Sequence, residues 1–171
     1  MAPEARIGDA RAVDPKPASA SVTIKHELVL PSDTNALGSA FVGSVMGWID
    51  ICAAITAQRH CASQVVTASI DALHFHAPIK VGMTAVLEAR VNATFNHSLE
   101  IGVEVDAENC TTGERRHCCS ALLTFTAIDE SFRPRRVPPL LIESDEERAR
   151  QAEAQERRAQ RLASRDRLER K

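Results

Sequence analysis

The recurrence of apolar side chains divides the chain into segments of different period. VTIKHELVL, residues 22–30, is a β-branched run stopped by Pro31-Ser32-Asp33, which predicts a strand and a turn. SVMGWIDICAAITAQRH, residues 44–60, is apolar almost throughout and ends in polar Gln58, Arg59 and His60, which predicts a helix. Gly47 weakens that helix, and Ser39 or Ser44 is the candidate cap. From residue 65 the period falls to two. VVTASIDALHF (65–75), TAVLEARVNATF (84–95), LEIGVEVDAE (99–108) and HCCSALLTFTAI (117–128) read as strands, with APIKVG and NCTTGE as punctuation. In the third of these, Leu99, Ile101, Val103 and Val105 share one side. RPRRVPPL then ends the sheet, because three prolines within six residues cannot continue a ladder.

The order is therefore one strand, one long apolar helix and four further strands. A helix that is apolar nearly all round must be covered on most sides. A strongly curved antiparallel sheet wrapped around it does so, which predicts an α+β fold with the helix as filling. Residues 1–20, rich in Ala and Pro with scattered charge, read as a disordered leader, residues 21–142 as the folded domain and residues 143–171 as a charged, helical tail. The tail carries Glu146→Arg150, Glu153→Arg157 and Asp166→Arg170 at helix spacing, with Leu162 and Leu168 nearly alone as apolar positions. It reads as a solvated helix that docks weakly or on a partner subunit.

With 171 residues and 44% hydrophobic content, the chain can build one ordinary core. A formal charge of −2 gives no reason to expect nucleic acid, and the tail's nine basic and eight acidic residues nearly cancel. Neither a secretory signal nor a membrane span stands out, so the expectation is a cytoplasmic protein without a membrane partner. The five cysteines form no CxxC pair and read as reduced structural thiols. His74 and His76 share a strand face but lack a third ligand at metal spacing, so no metal site is expected.

One residue resists this description. Between Thr34 and Gln58 the only charged side chain is Asp50, in the middle of the apolar helix. Moving a carboxylate into apolar surroundings costs several kcal/mol unless it is paired or used. On a helical wheel Val45, Trp48, Cys52 and Ile55 lie opposite Asp50 and form the expected packing face. Gly43, Met46, Gly47, Ala53, Ala54 and Ala57 lie on its own side, which leaves room for a ligand or another backbone. Asp33, Thr34 and Asn35 precede three glycines within ten residues, and the helix N-terminus supplies free N–H donors. Carboxylate, carboxamide and N–H groups together suit attack of water on an acyl carbon. A core Asp satisfied by a local hydrogen bond is the plainer alternative.

PSDTNALGSAFVGSVMGWIDICAAITAQRHC resembles the hotdog-fold acyl-CoA thioesterases of the cytosolic acyl-CoA hydrolase type. The resemblance continues through VVTASIDALHFHAPIKVG, NHSLEIGVEVDAE and LLTFTAID, and so covers about residues 22–142. It implies a hotdog fold and hydrolysis of fatty acyl-CoA to free acid and CoA, with no cofactor beyond the CoA of the substrate itself. It assigns catalysis to Asp50, as general base or nucleophile, and to Asn35, which positions water or the thioester carbonyl. It further implies backbone N–H groups of Val42 and Gly43 as the oxyanion site, with Asn96, His97 and Ser98 near the CoA arm. By the same resemblance the Asn and Asp are expected to come from different subunits of a homodimer, within a trimer of dimers. Phe41-Val42-Gly43 departs from the family's two consecutive glycines, which bears on substrate range more than on reaction type. Arg59, Lys80 and the Arg133/Arg135/Arg136 cluster are candidates for the nucleotide phosphates or plain surface charge. Thr67, Asp71 and Phe75 read as interface and core positions. The rival readings are a non-catalytic acyl-CoA-binding hotdog, a hotdog hydratase or dehydratase (disfavoured because residues 33–58 hold no His) and a structural dimerisation domain.

Overall fold

Residues 14–168 are described in a computed structural model. The segments of period two become the strands, and the continuous apolar run becomes the central helix. In chain order, β1 is Lys16–Pro17, β2 Thr23–Leu28, α1 Val42–Cys61, β3 Gln64–Phe75, β4 Thr84–Thr94, β5 Ser98–Glu108, β6 Arg115–Ile128, β7 Leu140–Leu141 and α2 Asp145–Leu168. Five strands form one antiparallel sheet in the order β2-β4-β5-β6-β3, so the hairpin meander β4-β5-β6 is its middle and β3 is a free edge. The inner face, with Leu87, Leu99, Ile101, Val103, Leu123 and Phe125, closes on α1.

Ordered chain begins earlier than the expected leader boundary. β1 pairs in parallel with β7, a 3-10 turn covers Ala18–Ser21, and Ala18 and Ser21 are buried. The expectation for residues 1–13 lies outside the described residues. β7 is also unforeseen: the proline-rich closure still contributes two sheet residues at Leu140–Leu141.

α1 starts at Val42 with Phe41 as the capping residue and no side-chain cap, so neither Ser39 nor Ser44 plays that part. Ser39 instead accepts a hydrogen bond from Lys80 Nζ at 3.0 Å. The packing face also differs from the wheel. Val45, Ile49, Cys52, Ala53, Thr56, Ala57 and His60 are buried, whereas Trp48 and Ile55 are half-buried. A curved sheet approaches the small residues Ala53 and Ala57 closely, which a wheel weighted by side-chain size does not register. The open stripe narrows to Gly43, Gly47, Asp50, Ile51 and Ala54.

α2 docks on the outer face of the sheet more firmly than its sequence suggests. Its start carries a cap: Ser144 Oγ accepts the Glu147 N–H at 3.2 Å and Glu147 reaches back to the Glu143 N–H at 2.7 Å. Ala154, on its sheet-facing side, is fully buried, and the Arg158 guanidinium lies 4.6 Å over the Phe95 ring. Glu100, 1% exposed, receives Arg157 through two hydrogen bonds of 3.2 and 2.7 Å and the Asn92 amide at 3.1 Å. Gly102 makes this possible, because a Cβ there would stand 2.8 Å from Asn92 Nδ2. Among the described residues no buried side-chain nitrogen or oxygen lacks a partner.

Candidate active site

Asp50 is half-buried on the open stripe of α1. The Thr67 hydroxyl on β3 donates to its Oδ1 at 2.9 Å. Among the described residues Asp50 has no cationic partner, and its Oδ2 is free to accept a proton. Thr67 is therefore more than the interface or core position expected of it. Its signal in the sequence was a polar position in the strand that follows the helix, and only the packing of β3 on α1 reveals its target.

Asn35 sits in a tight turn that its own side chain organises. Its Oδ1 accepts the N–H groups of Leu37 at 2.9 Å and Ser39 at 3.3 Å, and its carbonyl accepts the Gly38 N–H at 2.9 Å. Gly38 adopts φ +66°, a conformation that costs glycine little. With Oδ1 occupied by two backbone donors, the amide group Nδ2 is the end left to donate outwards. Asn35 lines a cavity of about 400 Å³ together with Leu37, Val42, Val45, Phe75 and Ile79 among others. Val42 and Gly43 form the first turn of α1, where helix geometry leaves N–H groups without an intrahelical acceptor. The Phe41 ring lies 3.3 Å from where a Cβ on Gly43 would be, so the helix entrance is closely packed on that side.

Within one chain these groups do not converge. Asp50 is absent from the lining of the Asn35 cavity. Thr67 pairs with Phe125 and Phe75 with Cys119, so the Asp50–Thr67 contact and the Asn35 cavity lie toward opposite ends of β3. Asn96, His97 and Ser98 form the β4–β5 turn, closed by the Phe95 N–H on the Ser98 carbonyl at 2.7 Å. They are outside the Asn35 cavity, and Asn96 is held by Arg136 Nε at 3.4 Å. Arg59 is committed to β2, donating to the Val22 carbonyl at 2.9 Å and the Thr23 hydroxyl at 3.1 Å. Lys80 alone of the basic candidates touches the Asn35 loop, through Ser39 and the Leu37 carbonyl.

The remaining reactive side chains are quiet. Burial pushes the Cys52 and Cys61 thiols up to about 11 and Cys119 to about 12, so their thiolates are scarce. All five cysteines are free, as expected, and Cys110 is the exposed one, its sulfur 3.1 Å from the Thr84 hydroxyl. His60 is buried, with Nε2 donating to the Pro138 carbonyl at 3.1 Å and Nδ1 facing the Ser21 hydroxyl at 3.2 Å; burial holds its pKa below the usual 6.5.

The family model of the thioesterase superfamily matches residues 37–114. The uncharacterized acyl-CoA thioester hydrolase YkhA of Bacillus subtilis is 39% identical over 127 residues, 74% of each chain. A hexameric acyl-CoA thioesterase structure superposes with TM-score 0.85 at 40% identity, covering 89% of this chain and 97% of that one. An acyl-CoA hydrolase of Staphylococcus aureus, solved with butyryl-CoA and CoA, superposes with TM-score 0.84 at 34% identity, covering 91% and 94%. The chain spans only 23% of mouse acyl-coenzyme A thioesterase 11 and 40% of the mouse cytosolic acyl-CoA hydrolase.

Proposed function

This chain belongs to the hotdog-fold acyl-CoA thioesterases of the thioesterase superfamily, and we propose that it hydrolyses acyl-CoA to the free acid and CoA, with Asp50 and Asn35 as the catalytic pair. The observation that carries this reading is the state of Asp50: oriented by a single neutral donor, uncompensated by any cation among the described residues, and set on a stripe of small residues. A structural carboxylate in this chain is treated otherwise, as Glu100 illustrates. Further support comes from three solved variants of the S. aureus hydrolase, which replace one Asn, one Asp and one Thr by Ala. Those positions are separated by fifteen and seventeen residues, the spacings of Asn35, Asp50 and Thr67 here.

The free edge of β3 supplies the missing convergence. It is twelve residues long and exposes Val66, Ile70 and Phe75. An edge of that length and character is a template for pairing. Two copies joined antiparallel through β3 would set the Thr67 end of one strand beside the Phe75 end of the other. Asp50 would then face the cavity that holds Asn35 of the partner subunit. Some structural neighbours are hexameric, and a trimer of such dimers is the assembly proposed for this chain.

In the proposed reaction Asp50 Oδ2 takes a proton from water as its oxygen attacks the thioester carbon. Asn35 Nδ2 and the N–H groups of Val42 and Gly43 receive the developing oxyanion. Collapse of the tetrahedral intermediate breaks the C–S bond, and the proton passes from Asp50 to the CoA thiolate. Direct attack by Asp50 to give an anhydride is the variant of the same chemistry. Asn96, His97 and Ser98 would meet the CoA arm from the exposed β4–β5 turn. The relatives named cytosolic suggest the same compartment for this chain.

The test is release of CoA across a series from acetyl- to palmitoyl-CoA, with wild type, Asp50→Ala and Asn35→Ala. Loss of turnover in both folded variants supports the assignment. Full turnover in either would remove that residue from the catalytic pair, and tight binding without hydrolysis by wild type would favour a binding module.

A further inference from the structure

The path of β3 joins the candidate carboxylate to α2. Between Thr67 and Ala72 the strand carries two residues more than its partner: Thr67 pairs with Phe125, Ser69 with Thr124, Ile70 with Leu123 and Ala72 with Leu122. Ala68 and Asp71 are the extra positions, each a bulge. A regular strand would aim residues 67, 69 and 71 at one face. Here Thr67 points inward to Asp50, whereas Ser69 and Asp71 point outward under α2. Bulges re-aim side chains in this way, and an unpaired residue must be held by something other than the ladder.

Asp71 is that holding point. One carboxylate oxygen accepts Ser69 Oγ at 2.9 Å within its own strand, and the other accepts Thr124 Oγ1 at 3.0 Å across the ladder. Arg161 of α2 completes the set with an ion pair to the second oxygen. The half-buried carboxylate thus ties both bulges to β6 and to α2, four residues from the hydroxyl that orients Asp50.

We propose that Arg161 is a positioning residue for the hydrolysis: through Asp71 it fixes the doubly bulged β3 that turns Thr67 onto Asp50. This rests on the reading of Asp50 as the catalytic carboxylate. It assigns α2 a part in the reaction that neither its charge pattern nor its distance in sequence suggests. Without Arg161, Asp71 is a carboxylate on an edge strand with two neutral donors, and the strand can relax toward regular alternation. Thr67 then leaves Asp50, while the cavity that takes the acyl-CoA stays in place.

The experiment is steady-state hydrolysis of the preferred acyl-CoA of the acetyl-to-palmitoyl series by Arg161→Ala, Arg161→Lys, Asp71→Asn, Arg158→Ala and Asp50→Asn. Arg158→Ala loosens α2 at Phe95 without touching β3. The expected result is a fall of about tenfold in kcat for Arg161→Ala with KM changed less than about twofold. Asp71→Asn should match it, Arg161→Lys should restore most of it, and Arg158→Ala should keep the wild-type kcat. Wild-type kcat in Arg161→Ala overturns the proposal, as does an equal loss in Arg158→Ala, which would mean that α2 docking alone matters. If Arg161→Ala does not fold, Asp71→Asn decides alone. An active Asp50→Asn would sink the catalytic assignment itself; an inactive one beside a full-rate Arg161→Ala sinks only the positioning role.

Discussion

Glu100 lies on the outer face of the sheet, almost fully covered, and holds Arg157 in a two-pronged ion pair together with the Asn92 amide. Asp50 lies on the inner side, half-buried on α1, and holds one threonine hydroxyl. Both carboxylates are at least partly withdrawn from solvent, yet both oxygens of the first receive donors and one oxygen of the second is left open. His60 offers a third solution: it is buried at the far end of α1 and tolerated because burial keeps it neutral. Where a fold needs a charge only for packing, it compensates the charge or suppresses it. A charge with no cationic partner among the described residues, on the open stripe of α1, is what the proposed catalytic role accounts for.

The contrast breaks most sharply if the two carboxylates are exchanged in role. Asp50→Asn should lower kcat by about 10³-fold, roughly 4 kcal/mol in the barrier, while melting near the wild-type temperature. A wild-type rate would make Asp50 another structural carboxylate. Arg157→Ala should do the reverse. It strands a buried charge, for which a loss of about 3 kcal/mol in unfolding free energy is expected by denaturant titration, provided the chain still folds. A loss under about 1 kcal/mol would mean that water reaches Glu100 and that the outer face is not sealed.

Smaller changes sharpen the same contrast. Thr67→Ala removes the only donor that Asp50 has among the described residues, and kcat should fall by about tenfold, near 1.4 kcal/mol, with KM little altered. An unchanged kcat would show that Asp50 is oriented by its helix alone. The smallest effect is the pH response of His60. Its folded pKa lies below the unfolded value of 6.5, so the unfolded chain binds a proton that the folded ring refuses. The neutral ring's contribution is complete above 6.5 and lost as pH falls below it. Melting temperatures from pH 8 to 5 should decline less steeply in His60→Gln than in wild type. Equal slopes would trace the acid sensitivity to other groups.

The elements were largely legible because each has an unmixed period. The strands at 84–95 and 99–108 alternate cleanly, and β4 and β5 appear at Thr84–Thr94 and Ser98–Glu108. The central helix was equally plain, but its packing face was not. Ala53 and Ala57 carry little apolar signal, and a curved sheet buries them because they are small. Asp50 stood out as the lone charge in an apolar run, and Asn35 through its place before the glycines and through resemblance. Thr67 could not be ranked above other strand threonines, since its bond to Asp50 depends on how β3 packs against α1, which alternation does not encode.

Local pattern determined which segments are helix and strand, that one carboxylate would be costly, and that a long helix needs a sheet around it. These follow from period and polarity, which act over a few residues. The tertiary structure decided where each side chain points once strands slip, which carboxylate is neutralised by a guanidinium some sixty residues away, and that a nearly stripeless helix docks through arginines. Those outcomes depend on distances across the sheet, where a one-residue bulge exchanges the two faces and an ion pair forms only if both partners arrive on the same one.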